Sequence, residues 1–179
     1  MNKKLLHTPE GVRDIYGKEY AKKLYIENKL HQVISSYGYE DVQTPTFEFF
    51  DVYSKDIGTT PSNELYKFFD KEGNTLVLRP DFTPSIARCA AKYFLEESVP
   101  IRFTYLGNTF INTSNLQGKL KEVTQIGAEL INDDSIQADA EMISMVIECL
   151  KNTGLENFQL SIGQVEFFKG LCAEAGLDT

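Results

Sequence analysis

With 179 residues and 20.3 kDa, the chain is long enough to bury one sizeable core and too short for a second full domain. Its 42% hydrophobic and 25% charged content is an ordinary globular mix. A net charge of −8 and a pI near 4.8 give no overall basic surface for nucleic acid or an acidic bilayer, so neither a nucleic acid nor a membrane is an expected partner.

The opening MNKKLLHTPEG lacks the apolar run of a secretion signal, and no stretch of eighteen apolar residues follows, which predicts a soluble cytoplasmic protein. The three cysteines, Cys89, Cys149 and Cys172, are odd in number and form no CxxC pair; they read as reduced, mostly buried thiols. Residues 8–17, TPEGVRDIYG, form an irregular lead-in because Pro9, Gly11 and Gly17 interrupt any helix. A helix is predicted from about Lys18 to Tyr37, with Ile26, Leu30, Val33, Ile34 and Tyr37 on one stripe and Gly38 ending it.

Tyr39–Phe50 begins with strand-favouring Val42 and Thr44 and turns at Pro45. Residues 56–64, DIGTTPSNE, are polar and turn-rich and predict a mobile loop. LYKFFD–KEGN–TLVLRP reads as a hairpin turning at Lys71–Asn74. After Pro80, Thr83 is the expected cap of a helix with Pro84 in its first position, carried on by Ile86, Ala87, Ala90, Ala91 and Phe94. Two long arms follow, Ile101–Ile111 and Val123–Ile131, joined by a polar connector that includes Asn115, Gln117, Gly118 and Lys119. A second helix is predicted over 136–151, capped by Asp134 or Ser135, then a strand at Phe158–Ile162 and a helix at Gln164–Ala175. Hairpins without βαβ alternation predict an α+β fold: an antiparallel sheet flanked by helices.

No phosphate loop, dinucleotide fingerprint, zinc motif or nucleophile elbow is spelled out, and no cofactor or metal is expected. The polar residues at strand ends are the remaining candidates: Arg79, Asp81 and Thr83 in LRPDFT, and Gln125 and Glu129 on the return arm. Period-2 alternation puts Thr124, Ile126, Ala128 and Leu130 on one face of that arm and Val123, Gln125, Gly127, Glu129 and Ile131 on the other. The second face suits either the floor of a small-molecule site or a solvated surface. In the first case Gly127 admits a ligand to the backbone, and Asp81, Glu129 and the Gln125 amide meet the donors of an amino acid. Arg79 either serves that site or pins the turn.

TPEGVRDIYGKE, VQTPTFE, LRPDFTPSIAR and the 102–131 hairpin, in this order, resemble the histidyl-tRNA-synthetase-like class II catalytic domain. Within it they most resemble the ATP phosphoribosyltransferase regulatory subunits, noncatalytic paralogues in histidine biosynthesis. The resemblance implies a class II fold that is incomplete at the C-terminus, with residues 1–179 one core domain of a longer chain, and a dimer interface built by VQTPTFE. It also implies a histidine-like pocket of Asp81, Thr83, Gln125 and Glu129, supported by Arg79 and Gly127. The implied partners are a catalytic transferase subunit, histidine as effector and a second copy in a homodimer within a hetero-oligomer. The synthetases carry Phe, Arg and, two residues on, Glu at the end of the outgoing arm; this chain has Phe110, Ile111, Asn112 and Thr113. An aliphatic side chain cannot neutralise a phosphate, so no adenylation is expected and no residue is assigned a catalytic role. Asp81 is shorter than the glutamate at that place in a synthetase. The rival readings are a histidine–tRNA ligase fragment and a stand-alone amino-acid-binding module.

Overall fold

Helix α1, Gly17–Ser36, presents Leu30, Val33, Ile34 and Tyr37 to the interior at helical spacing and ends at Gly38, whose φ of +83° lies in the left-handed region that glycine tolerates. The computed structural model describes residues 3–53, 60–113 and 118–177. The loop expected at 56–64 falls partly outside that range, and its described end carries a single 3₁₀ turn at Ser62–Glu64. The connector residues Asn115 and Gln117 lie outside the described residues.

After α1 the strands are β1 (Glu40–Asp41), β2 (Phe47–Phe49), β3 (Lys67–Phe69) and β4 (Thr75–Leu78). Helix α2 (Thr83–Tyr93) precedes the long strands β5 (Ile101–Phe110) and β6 (Glu122–Ile131), and helices α3 (Ile136–Asn152) and α4 (Val165–Glu174) close the chain. The β3–β4 hairpin pairs Phe69 with Thr75, and Gly73 at φ +86° makes its turn. The Asp70 carboxylate accepts the backbone N–H of Glu72 and of Asn74 there.

The α+β arrangement is as expected, with two three-stranded sheets in the orders β1–β5–β6 and β2–β4–β3. β1 joins β5 in parallel, pairing Glu40 with Phe103 and Asp41 with Thr104. Alternation then decides which side chains meet which layer. Ile126, Ala128 and Leu130 of β6 pack with Val33, Ile34, Tyr39, Met145 and Cys149 beneath α1 and α3. Thr124, on the same face, instead donates to Asn108 Oδ1 on β5. The opposite face of the long hairpin, with Phe103 and Tyr105, meets Phe82 and Ile86 of the α2 region, and Ile131 packs against that cluster. Both faces of the hairpin therefore carry a core.

Two expectations at helix and strand ends are corrected. Thr83 does not cap α2: the helix starts at Thr83 itself, after Phe82, and Asp81 Oδ1 accepts the Phe82 and Thr83 N–H at 2.6 and 3.4 Å. Thr83 is already the first helical residue and Phe82 holds the cap position, so the Thr83 hydroxyl is left to donate to a carboxylate on β6, and Asp81 accepts the N–H groups at the helix start. Phe158–Ile162 is irregular rather than extended in a sheet. Strand-favouring composition needs a ladder partner, and neither described sheet supplies one. Ser135 is the cap of α3, its Oγ accepting Ala138 N–H at 3.2 Å. No described helix is long and apolar enough to cross a membrane.

Candidate functional site

The LRPDFT turn is the hinge of the site, because it ends β4, carries a buried proline and starts α2 within a few residues. Its arginine is turned into the protein. Arg79 is 7% exposed; its Nε donates to the Asn108 carbonyl at 2.8 Å and its Nη1 to the carbonyls of Thr44 and Pro45 at 3.1 and 3.4 Å. The guanidinium lies 4.0 Å from the Phe82 ring. Burial lowers its pKa from the usual arginine value. Of the two roles open to Arg79, the pinning one is what the geometry displays, with backbone carbonyls in place of the expected carboxylate.

Asp81 and Thr83 stand one residue on either side of Phe82, and the Thr83 hydroxyl donates to Glu129 Oε1 at 2.6 Å. Sequence separation between these two is 46 residues, and the contact exists because α2 lies across the face of β6 that holds the odd-numbered side chains. Burial raises the Glu129 carboxyl pKa above the ordinary value; the Thr83 hydrogen bond opposes that shift and the Asp81 charge adds to it. Gln125 is half-buried on the same face, opposite Gly107 of β5, and its amide makes no hydrogen bond among the described residues. Beside Thr83 and Glu129 a groove of about 360 Å³ runs between α2 and β6, its walls made apolar by Ile86, Ala90, Phe94 and Ile131.

Gly127 does not leave its backbone open. The register sets it opposite Tyr105, and a Cβ built on Gly127 would overlap the Tyr105 hydroxyl and ring. The missing side chain makes room for a protein aromatic ring rather than for a ligand, an arrangement in which a cross-strand aromatic covers a strand glycine. Tyr105 in turn stacks on Phe82, with centroids 4.2 Å apart and planes 14° from parallel. Burial, then the charges of Glu129 and Asp81, raise the Tyr105 pKa, which keeps the phenol protonated. Tyr105 escaped the sequence reading, although one signal was present: an aromatic residue opposite the only glycine of β6.

At the far end of the hairpin Phe110 pairs with Glu122, and the backbone N–H of Ile111 donates to the Lys121 carbonyl at 3.0 Å. The Asn112 N–H reaches the Glu64 carbonyl at 2.8 Å, and the buried Thr113 hydroxyl has no hydrogen-bond partner among the described residues.

Residues 11–179 match the family model described as histidyl-tRNA synthetase. The chain belongs to the histidyl-tRNA synthetase family. Among curated members of that kind, the ATP phosphoribosyltransferase regulatory subunit of Ruminiclostridium cellulolyticum is 46% identical over 176 residues, covering 98% of this chain and 42% of the relative. That of Acetivibrio thermocellus is 47% identical over 172 residues, covering 96% and 41%. A Bacillus halodurans crystal structure described as an ATP phosphoribosyltransferase regulatory subunit/histidyl-tRNA synthetase superposes with a TM-score of 0.86 at 34% identity, over 95% of this chain and 44% of that one. Apo histidyl-tRNA synthetase from S. aureus gives 0.70 at 28% identity, over 84% and 35%. The chain thus spans about two fifths of the length of the curated relatives it matches.

Proposed function

We propose that the chain forms the synthetase-like core of a noncatalytic regulatory subunit of ATP phosphoribosyltransferase, the first enzyme of histidine biosynthesis, and that it binds histidine as the feedback effector. One contrast within the hairpin carries this reading. The amino-acid end keeps Glu129 held by Thr83 beside Asp81, with the free Gln125 amide on the same face, while the nucleotide end has Ile111 where an adenylating enzyme of this family needs a cation. A pocket that holds an amino acid and does not activate it suits a sensor. The identity to regulatory subunits over nearly the whole chain supports the same conclusion.

Residues 1–179 act in this proposal as a single core domain. The subunit pairs with a second copy and with the catalytic transferase subunit. On the outer face of the β2–β4–β3 sheet Phe47, Phe49 and Phe68 are 51%, 56% and 37% exposed, with Phe47 and Phe68 in edge contact at 5.7 Å. Phe47 belongs to the VQTPTFE segment that builds the dimer interface in class II enzymes, and an aromatic cluster left open to water favours such pairing. Histidine transmits a signal only by binding two states of the assembly with different affinity.

Calorimetry with L-histidine, on the chain alone and on its mixture with the catalytic subunit, tests pocket, partner and coupling together. Binding is expected in both, with a different dissociation constant in the complex. Heat indistinguishable from buffer in both titrations sinks the sensor reading. The ligase alternative is tested by histidine-dependent ATP–pyrophosphate exchange, where none is expected. Introducing Ile111→Arg alone is likewise expected to produce no adenylate, because Thr113 occupies the position of the synthetase glutamate; exchange above background in that variant refutes this account of the nucleotide end.

A further inference from the structure

Along β6 the side chains of Gln125 and Glu129 are two residues to either side of Gly127, on one face and about 14 Å apart at strand spacing. The gap between them is filled from the neighbouring strand. Tyr105, the register partner of Gly127, reaches over the glycine and sets its hydroxyl where a Gly127 side chain would begin. Three polar groups therefore stand in a row, amide, hydroxyl and carboxylate, although the sequence of β6 spells only the two outer ones.

The hydroxyl is built into place. Phe82 stacks on the Tyr105 ring at 4.2 Å, and Arg79 backs Phe82 at 4.0 Å. Gly107 makes room for that stack, since a Cβ there would stand 2.5 Å from Arg79 Nη2 and 3.0 Å from Phe82 Cζ. Tyr105 is only 6% exposed, yet its hydroxyl makes no hydrogen bond among the described residues. The ring is buried, but the hydroxyl oxygen is not fully enclosed, so it is held rigidly without a protein partner where an arriving group can reach it. A ring wedged between Phe82 and the strand has little freedom to turn elsewhere.

We propose that Tyr105 is a ligand-contacting residue of this pocket, its hydroxyl oxygen accepting an N–H from the side chain or ammonium group of a bound amino acid while Glu129 holds the cationic end. The inference rests on the amino-acid-pocket reading above and adds to it a specificity contact from the outgoing arm. Gly127 then serves recognition indirectly, by admitting the phenol.

The test is Tyr105→Phe in the 179-residue chain, with L-histidine titrated by calorimetry and thermal unfolding followed in parallel. The variant keeps the ring stacked on Phe82 and loses one oxygen, so the expected result is about tenfold weaker binding, the worth of one hydrogen bond to a charged or polar ligand. The unfolding midpoint is expected to stay within about 2 °C, a hydroxyl without a protein partner contributing little to stability. Wild-type affinity in Tyr105→Phe overturns the proposal and leaves the amino-acid pocket standing. A weakened affinity accompanied by a clear fall in midpoint also overturns it, since the hydroxyl is then structural. If the unaltered chain takes up no histidine, the pocket reading falls and this contact falls with it.

Discussion

Replacing Arg79 with leucine is expected to destabilise the fold by about 3–5 kcal/mol, the largest loss from any single change at the turn. The guanidinium is the common donor to three carbonyls, of Thr44, Pro45 and Asn108, that belong to segments 29 to 35 residues away. Its own backbone continues the clamp: Arg79 N–H donates to the Thr46 carbonyl and its carbonyl accepts the Phe110 N–H. Leucine fills part of the volume and satisfies none of the carbonyls, and each buried acceptor left alone costs roughly 1–3 kcal/mol. Removing a buried cation recovers some desolvation energy, which is the effect that lowers the arginine pKa. Against up to three orphaned acceptors and a lost ring contact that gain is the smaller quantity. Urea denaturation checks the result: the midpoint falls with the slope unchanged. A loss below about 1 kcal/mol shows that rearranged backbone or water replaces the clamp. Arg79→Lys is expected to fall between the two, since one ammonium cannot reach all three carbonyl acceptors that the planar guanidinium fork spans.

The same residue shows where sequence reading stops. The stripe Leu30–Val33–Ile34–Tyr37 and the alternation Ile126–Ala128–Leu130 declare their elements because periodicity is local and burial follows it. The arginine's partners are backbone carbonyls, which carry no sequence signature, so LRPDFT announces a turn and conceals what the arginine does there. Thr83 illustrates a competition that only tertiary structure decides. A threonine before Pro84 has a cap's credentials, but the helix begins one residue earlier than a cap there requires, so the hydroxyl turns to the Glu129 carboxylate and Asp81 accepts the N–H groups at the helix start. Asp81, Thr83 and Glu129 were legible as a candidate set, and the fold brings them together. Phe158–Ile162 failed for the opposite reason: propensity was present, and no strand among the described residues pairs with it. Tyr105 was hidden because its importance lies in the register, which pairs it with Gly127 across the hairpin.

Glu129→Gln is expected to weaken histidine binding about 30- to 100-fold, the usual consequence of removing one partner of a partly desolvated charge pair. It should at the same time make the empty protein more stable at neutral pH. Glu129 has a folded pKa raised above its ordinary value of 4.5 by burial and by Asp81. Between those two values the folded state holds more protons than the unfolded one, so stability is full below about pH 4.5 and declines as pH rises through the folded pKa. Glutamine stays neutral throughout, and it can still accept from Thr83 Oγ1. The difference in unfolding midpoint between variant and unaltered chain is therefore expected to be small at pH 4.5 and to favour the variant by pH 7.5. Taken together, the two readouts separate a binding carboxylate from a structural one. Stability kept at neutral pH by an ionised acid, through a partner inside the protein, would make glutamine harmful there. Stability given up by it marks a charge held ready for a cation that arrives from outside. A variant that is more stable at pH 7.5 and binds histidine as well as before would move the ligand away from Glu129 and return Thr83 and Asp81 to the packing of α2.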